Sequence, residues 1–296
     1  MAIAVLDSPR SRARVALHAS RPRQWSKNLL LFAGLLFAAK LGDATRWLEA
    51  VAAFAAYCAA SSAAYLVNDV RDAAHDRDHP VKRARPVASG ELPARVAVGL
   101  AIALAVLALA AAALLGPWSA AFMAAFLGLQ AGYTAGLKHI VLIDVLAIAG
   151  LFVLRASAGA EAVDVPISPW LLICTGLLAL FLALAKRRAE LVLVGAEETP
   201  GRPVLEGYSL GLVDQLVSVV AASTVIAYSL YTFTARDSKA MMATVPFVVY
   251  GVFRYLLLLH RHDLGEEPEN VLLTDVPLIL TIAWWATTSA IILATT

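Results

Sequence analysis

Three side chains in the stretch NDVRDAAHD could hold a cation between them. Asn68, Asp72 and Asp76 fall at i, i+4 and i+8, so on a helix they stack on one face, with Asp69 beside them. Like charges at that spacing repel unless a cation lies between them. Carboxylate and amide oxygens suit Mg2+, which keeps several waters and usually bridges to substrate phosphates. Asn68, Asp72 and Asp76 are the expected metal ligands, and Asp72 and Asp76 the expected catalytic carboxylates. A solvated acidic loop pairing with Arg71 and Arg77 is the alternative. Three features weigh against it. The acids begin at the mouth of an apolar segment, they keep helical spacing, and the basic run VKRARP follows at once. Asp69, Arg77, Lys82, Arg83 and Arg85 are therefore expected around a bound diphosphate.

A second charged cluster reads KRRAEL. On a helix, Lys186, Arg187 and Arg188 cannot all face one way. Lys186 and Arg187 are expected to reach a phosphate, because Glu190 stands at i+4 and i+3 from them and can orient either. Arg188 is expected among headgroups or solvent. Charge-assisted contacts of this kind recognise phosphate well. Lys27, Tyr133 and Lys138 sit near the ends of apolar segments, where they either flank the membrane or touch substrate; Lys138, beside Asp144, is placed to reach the cavity. Arg155 falls mid-segment, where an unpaired cation costs a few kcal/mol or more, so its partner is expected on another helix. Arg254 is expected to snorkel. His79, before Pro80, is expected to shape a turn.

The elements that must position these groups are membrane-length. Of 296 residues, 60% are hydrophobic and 16% charged, with mean hydropathy +0.73; soluble domains are about half apolar and about a quarter charged. Nine candidate spans lie near Asn28–Leu41, Trp47–Val67, Ala94–Leu115, Trp118–Leu137, Ile140–Ala160, Pro169–Ala185, Leu212–Thr234, Met241–Leu259 and Val276–Ala294. The expected fold is an all-α polytopic membrane bundle of nine helices around a polar cavity facing the cytosol. Residues 1–23 read as a basic cytosolic arm and 24–296 as a single transmembrane domain. With the N-terminus inside, eighteen Lys and Arg fall on cytosolic segments and four outside. That places the N-terminus and both polar loops, Asn68–Pro93 and Lys186–Gly211, in the cytosol and the C-terminus outside. Cys58 and Cys174 lie in apolar runs and imply neither disulfide nor metal site.

NDxxDxxxD at the end of the second span resembles the first aspartate-rich motif of the UbiA-type intramembrane prenyltransferase superfamily. The resemblance covers essentially the whole chain in helix count and loop placement. It implies a nine-helix bundle in which Asn68, Asp72 and Asp76 hold Mg2+ against a diphosphate. The usual second aspartate-rich motif is missing. Its place reads KRRAELVLVGAEETPGRPVLEGYS, with Glu190, Glu197, Glu198 and Glu206 but no aspartate before Asp214. One acidic and one basic motif suggest two phosphorylated substrates.

RPRQWSKN, YTAGLKHIVLIDVLAIAGLFVLRASAGA, KRRAEL, NDVRDAAHDRDHPVKRARPVASGEL and EEPENVLLTD resemble one branch of that superfamily. The resemblance implies transfer of 5-phosphoribosyl from 5-phosphoribosyl 1-diphosphate to decaprenyl (polyprenyl) phosphate in the inner membrane of a bacterium, with membrane lipid around the protein. It also implies a homo-oligomer; no nucleic-acid partner is expected. An enzyme moving a prenyl group from a prenyl diphosphate to an aromatic acceptor would need the second acidic motif. A transporter would not need the acid ladder followed by VKRARP, and helices broken near the midplane are not evident.

Overall fold

The computed structural model describes residues 12–37, 42–78, 81–195, 203–234, 238–261, 271 and 274–295. Arg10, Lys40, His79, Glu197, Glu198, Arg202, Arg236 and most of EEPENVLLTD lie outside the described residues.

Among the described residues every regular element is helical. The α-helices are α1 (Arg12–Ala19), α2 (Ala33–Phe37), α3 (Ala44–Asp78), α4 (Ala94–Leu115), α5 (Pro117–Ala135), α6 (Ile143–Ala162), α7 (Pro169–Gly195), α8 (Leu210–Thr234), α9 (Val245–His260) and α10 (Val276–Thr295). Seven segments are long and apolar enough to cross a membrane: α3, α4, α6, α7, α8, α9 with the turn before it, and α10. The chain is a multi-pass membrane protein. α5 packs between α4 and α6. α3 and α4 meet through small residues, Ala53, Ala56, Ala60 and Ala63 against Ala97, Ala101, Ala108 and Ala112, which let backbones approach closely where water gives no apolar driving force.

Two helices overshoot the bilayer. At 1.5 Å per residue the 35 residues of α3 run about 52 Å and the 27 of α7 about 40 Å, against roughly 30 Å of hydrocarbon. The excess of α3 carries Asn68–Asp78, and that of α7 carries Lys186–Glu190. From the apolar run the sixth span is expected to end at Ala185 and a loop to begin at Lys186. The helix instead continues to Gly195, because Lys, Arg, Ala, Glu and Leu are strong helix formers and Arg187 pairs with Glu190 at i+3.

The first expected span is also different. Pro22–Phe32 winds as a 3-10 helix before the short α2. At three residues per turn, Trp25, Asn28 and Leu31 fall in one row. That row faces the bundle: Trp25 donates from Nε1 to Ser62 Oγ at 3.1 Å, and Asn28 and Leu31 are fully buried. The neighbouring row, Gln24, Lys27 and Leu30, faces the cavity described below. Apolar counting assumes an α-helical rise and cannot see this period.

The segment lies backbone to backbone on α6. A Cβ on Gly159 would sit 2.2 Å from the Leu31 carbonyl oxygen and 2.6 Å from its Cα, and one on Gly34 would sit 2.9 Å from Ala160 Cα. Gly159→Ala should therefore cost about 1–3 kcal/mol through overpacking. It should lower the thermal midpoint in detergent, whereas Gly99→Ala, with open space around it, should leave the midpoint unchanged or slightly raised. Equal midpoints for the two variants would refute the close approach.

Candidate active site

The overlong ends of α3 and α7, the 3-10 segment and the α5–α6 connection surround one cavity of about 1710 Å3. Its polar end is lined by Asn68, Asp72 and Asp76 from α3, Lys27, Tyr133 and Lys138, Lys82 and Arg85 from the basic run, and Lys186 and Arg187 from α7. Its remaining walls are mostly apolar, with Leu171, Leu178 and Phe181 of α7, Phe247 and Val252 of α9, and Ile279 and Ile282 of α10.

The acid ladder is held by cations. Asn68 donates from Nδ2 to Asp72 Oδ2 at 3.0 Å. Lys138 Nζ donates to the two Asp72 oxygens at 2.8 and 3.0 Å and approaches Asn68 Oδ1 at 3.4 Å. Asp76 accepts from Arg85 Nη1 at 2.6 Å. Asp69 points away from the cavity: it is buried, and Arg21 and Arg85 both bond its Oδ1. Arg21 also stacks over the Tyr65 ring, 5.0 Å from its centroid.

Arg187 is buried to 1% exposure and donates from Nε to Asp144 Oδ2 at 2.6 Å, and from Nη1 to Glu190. Among the described residues its Nη2 has no partner. Asp144, at 0% exposure, also accepts from the Tyr208 hydroxyl at 2.7 Å. Burial, and then the bond to Asp144, pushes the Tyr208 phenol up to about 12. Removing one partner of so buried an ion pair typically costs 3–5 kcal/mol.

Of the fourteen residues expected at the site, ten meet at the cavity: Lys27, Asn68, Asp72, Asp76, Lys82, Arg85, Tyr133, Lys138, Lys186 and Arg187; Arg155 also lies on its wall. Asp69, Arg77, Arg83 and Glu190 are not on its wall. Arg77 donates to the Ala88 carbonyl at 3.3 Å, Arg83 is exposed, and Glu190 braces Arg187. Arg188 does not reach headgroups or solvent as expected: it bonds Asp214 at 2.6 Å and the Leu259 carbonyl at 3.1 Å, since α8 and α9 present both acceptors beside it. Lys138 reaches the cavity and pairs there with Asp72, while Asp144 pairs with Arg187. Arg155 donates to Asn28 Oδ1 at 2.7 Å and to the Leu151 carbonyl, and lies 4.6 Å from the Phe126 ring centroid. Arg254 does not snorkel alone; it pairs with Asp275 at 2.8 Å. Asp275 in turn accepts the Leu278 N–H at 2.9 Å, as a cap on α10. Arg21 and Tyr208 carried no sequence signal for the site, and Asp144, an acid at the start of an apolar segment noted only beside Lys138, named no partner.

The donor set fits a hard divalent cation in kind. Two carboxylates and an amide face one cavity, and the Lys138 ammonium already lies between Asn68 Oδ1 and Asp72, where positive charge is favoured. Among the described residues no three His, Cys, Asp or Glu side chains form a cation site by themselves. The amide oxygen and a substrate phosphate would have to complete one.

A membrane helix bundle with an acid ladder and a cation cluster on one cavity defines a class of intramembrane transferase. The chain belongs to the UbiA prenyltransferase family, whose match spans residues 29–274. It is 35% identical over 295 residues to decaprenyl-phosphate phosphoribosyltransferase of Mycobacterium tuberculosis, covering 97% of each chain. It is 34% identical over 287 residues to the protein of that name from Corynebacterium glutamicum, covering 93% of this chain and 86% of that one. Its fold superposes with a TM-score of 0.73 on a UbiA homolog from Archaeoglobus fulgidus bound to GPP and Mg2+, at 18% identity over 95% of this chain and all of that one.

Proposed function

We propose that the protein transfers the 5-phosphoribosyl group of 5-phosphoribosyl 1-diphosphate to a polyprenyl phosphate, releasing diphosphate. The observation that carries this reading is the division of charge in the cavity. Acids stand on α3, and the cations Lys186 and Arg187 stand on α7 where a second acidic motif would serve two metal-loaded carboxylate clusters. The names of the relatives from Mycobacterium tuberculosis and Corynebacterium glutamicum agree with it. In that reaction the product lipid is a precursor of the arabinose donor for cell-wall arabinan.

Asn68, Asp72 and Asp76 would hold Mg2+, which supplies charge neutralisation for the departing diphosphate. Lys138 and Arg85 keep the ladder oxygens in place until substrate arrives. Lys27, Tyr133 and Lys82 line the polar end, where the phosphates must lie. The lipid phosphate oxygen is already anionic at neutral pH, so attack on C1 needs no general base. Its tail runs along the apolar walls of α7, α9 and α10. The positive-inside count supports a reading in which this polar end and the N-terminus face the cytosol and the C-terminus lies outside, and the names of the relatives support a bacterial cell membrane as its place.

The test is purified protein with labelled phosphoribosyl diphosphate, decaprenyl phosphate and Mg2+. A labelled lipid, lost on chelation and restored by Mg2+, is the expected result. No labelled lipid, together with prenyl transfer from a prenyl diphosphate to an aromatic acceptor, would overturn it.

A further inference from the structure

We propose that Tyr208 and Asp144 are positioning residues, which fix the Arg187 guanidinium in the cavity wall so that its unpartnered nitrogen meets a phosphate oxygen. The proposal rests on the reading of the cavity as a phosphate site. It adds how that site is held and which distant segment holds it.

Two of the guanidinium's three nitrogens are taken by the protein, and the third has no acceptor among the described residues. Nε is taken by Asp144 and Nη1 by Glu190, while Nη2 is buried without an acceptor although Arg187 lines the cavity. Buried donors are ordinarily satisfied. An orphan on a cation at the wall of a cavity marks where an anionic acceptor belongs.

The orientation of that nitrogen depends on Asp144. Asp144 gives Oδ2 to Arg187 and Oδ1 to Tyr208, so the phenol decides how the carboxylate is turned. Tyr208 is itself pinned from two sides. Its oxygen accepts the Leu142 N–H at 2.7 Å, and Leu142 has φ of +66°, a conformation non-glycine residues rarely keep unless their surroundings demand it. Gly207 presses against the same turn: a Cβ there would lie 2.4 Å from Val141 Cγ2. A backbone strained at Leu142 and a residue that must lack a side chain at 207 bring one hydroxyl onto one carboxylate. The line from Tyr208 through Asp144 ends at Arg187 and the cavity.

A purely structural staple would predict something different, and Tyr208→Phe separates the two. It keeps the ring and removes the hydroxyl. Positioning predicts that KM for one phosphorylated substrate rises about tenfold while kcat changes less, and that the rise disappears in an Arg187→Lys background, since coupled residues do not add. Asp144→Asn should reproduce the KM effect, with a larger loss of stability because it also breaks the buried pair with Arg187. A second measurement does not depend on the reaction. Inorganic diphosphate should raise the thermal midpoint of the wild-type protein in detergent, and Tyr208→Phe should lose most of that rise. Equal diphosphate stabilisation of both proteins, or none in the wild type, would overturn the proposal. Failure of the wild type to make a phosphoribosyl lipid, with the diphosphate response intact and lost in Tyr208→Phe, would overturn only the reaction and leave the positioning role standing.

Discussion

Asp72→Asn should lower turnover by at least about a hundredfold, the scale on which a single group stabilising developing charge is felt, with little change in folding. The amide keeps an oxygen for the Lys138 ammonium, now 2.8 Å from Asp72 Oδ1, but removes the negative charge that Asn68 and Asp76 cannot supply alone. Asp72→Ala should be as inactive, and it also leaves Lys138, which is mostly buried, with the Asn68 amide oxygen at 3.4 Å as its one remaining acceptor among the described residues. Chelation of the wild type should produce the same loss, reversed by Mg2+. Asp76→Asn should follow Asp72→Asn, whereas Asp69→Asn should act mainly on stability, because Asp69 braces Arg21 and Arg85 from behind the wall. Ordinary turnover by Asp72→Asn at ordinary Mg2+ would remove the ladder from the mechanism.

Substitutions in the basic cluster should separate into three behaviours. Lys186→Ala should weaken apparent binding of one phosphorylated substrate about ten- to hundredfold, the worth of one charge-assisted contact of about 1.5–3 kcal/mol. Arg187→Ala should do this and also destabilise the fold. It leaves the buried Asp144 without its cation, and breaking a buried pair costs about 3–5 kcal/mol. Arg187→Lys is the cleaner variant: it keeps the charge but cannot reach Asp144, Glu190 and a phosphate together. Arg188→Ala should alter neither substrate's KM, since Arg188 faces Asp214 and Leu259. Kinetics and thermal midpoints of the four proteins decide it. Wild-type KM values in Lys186→Ala and Arg187→Lys would leave the cluster no role beyond its side of the membrane.

What the sequence determined about this protein is whatever local spacing and composition encode. The apolar runs marked the seven helices long and apolar enough to cross the membrane, because hydrocarbon thickness fixes their length; of the nine expected spans, Asn28–Leu41 and Trp118–Leu137 are not among those seven. The i, i+4, i+8 repeat of Asn68, Asp72 and Asp76 put three ligands on one face, because helical geometry is local. The order of KRR followed by Glu190 showed that only part of the cluster could turn inward. The motifs carried the family. The tertiary structure alone decided the partners: Lys138 reaches Asp72 across 66 residues, Arg187 reaches Asp144 across 43, and Tyr208 reaches Asp144 across 64. No periodicity records such pairings, since they exist only once α3, α6 and α7 have packed. The 3-10 winding of Pro22–Phe32 belongs with them. It is held by glycine contacts between Leu31 and Gly159, residues remote in the chain, and the three-residue period it imposes is what turns Lys27 to the cavity and Asn28 to Arg155.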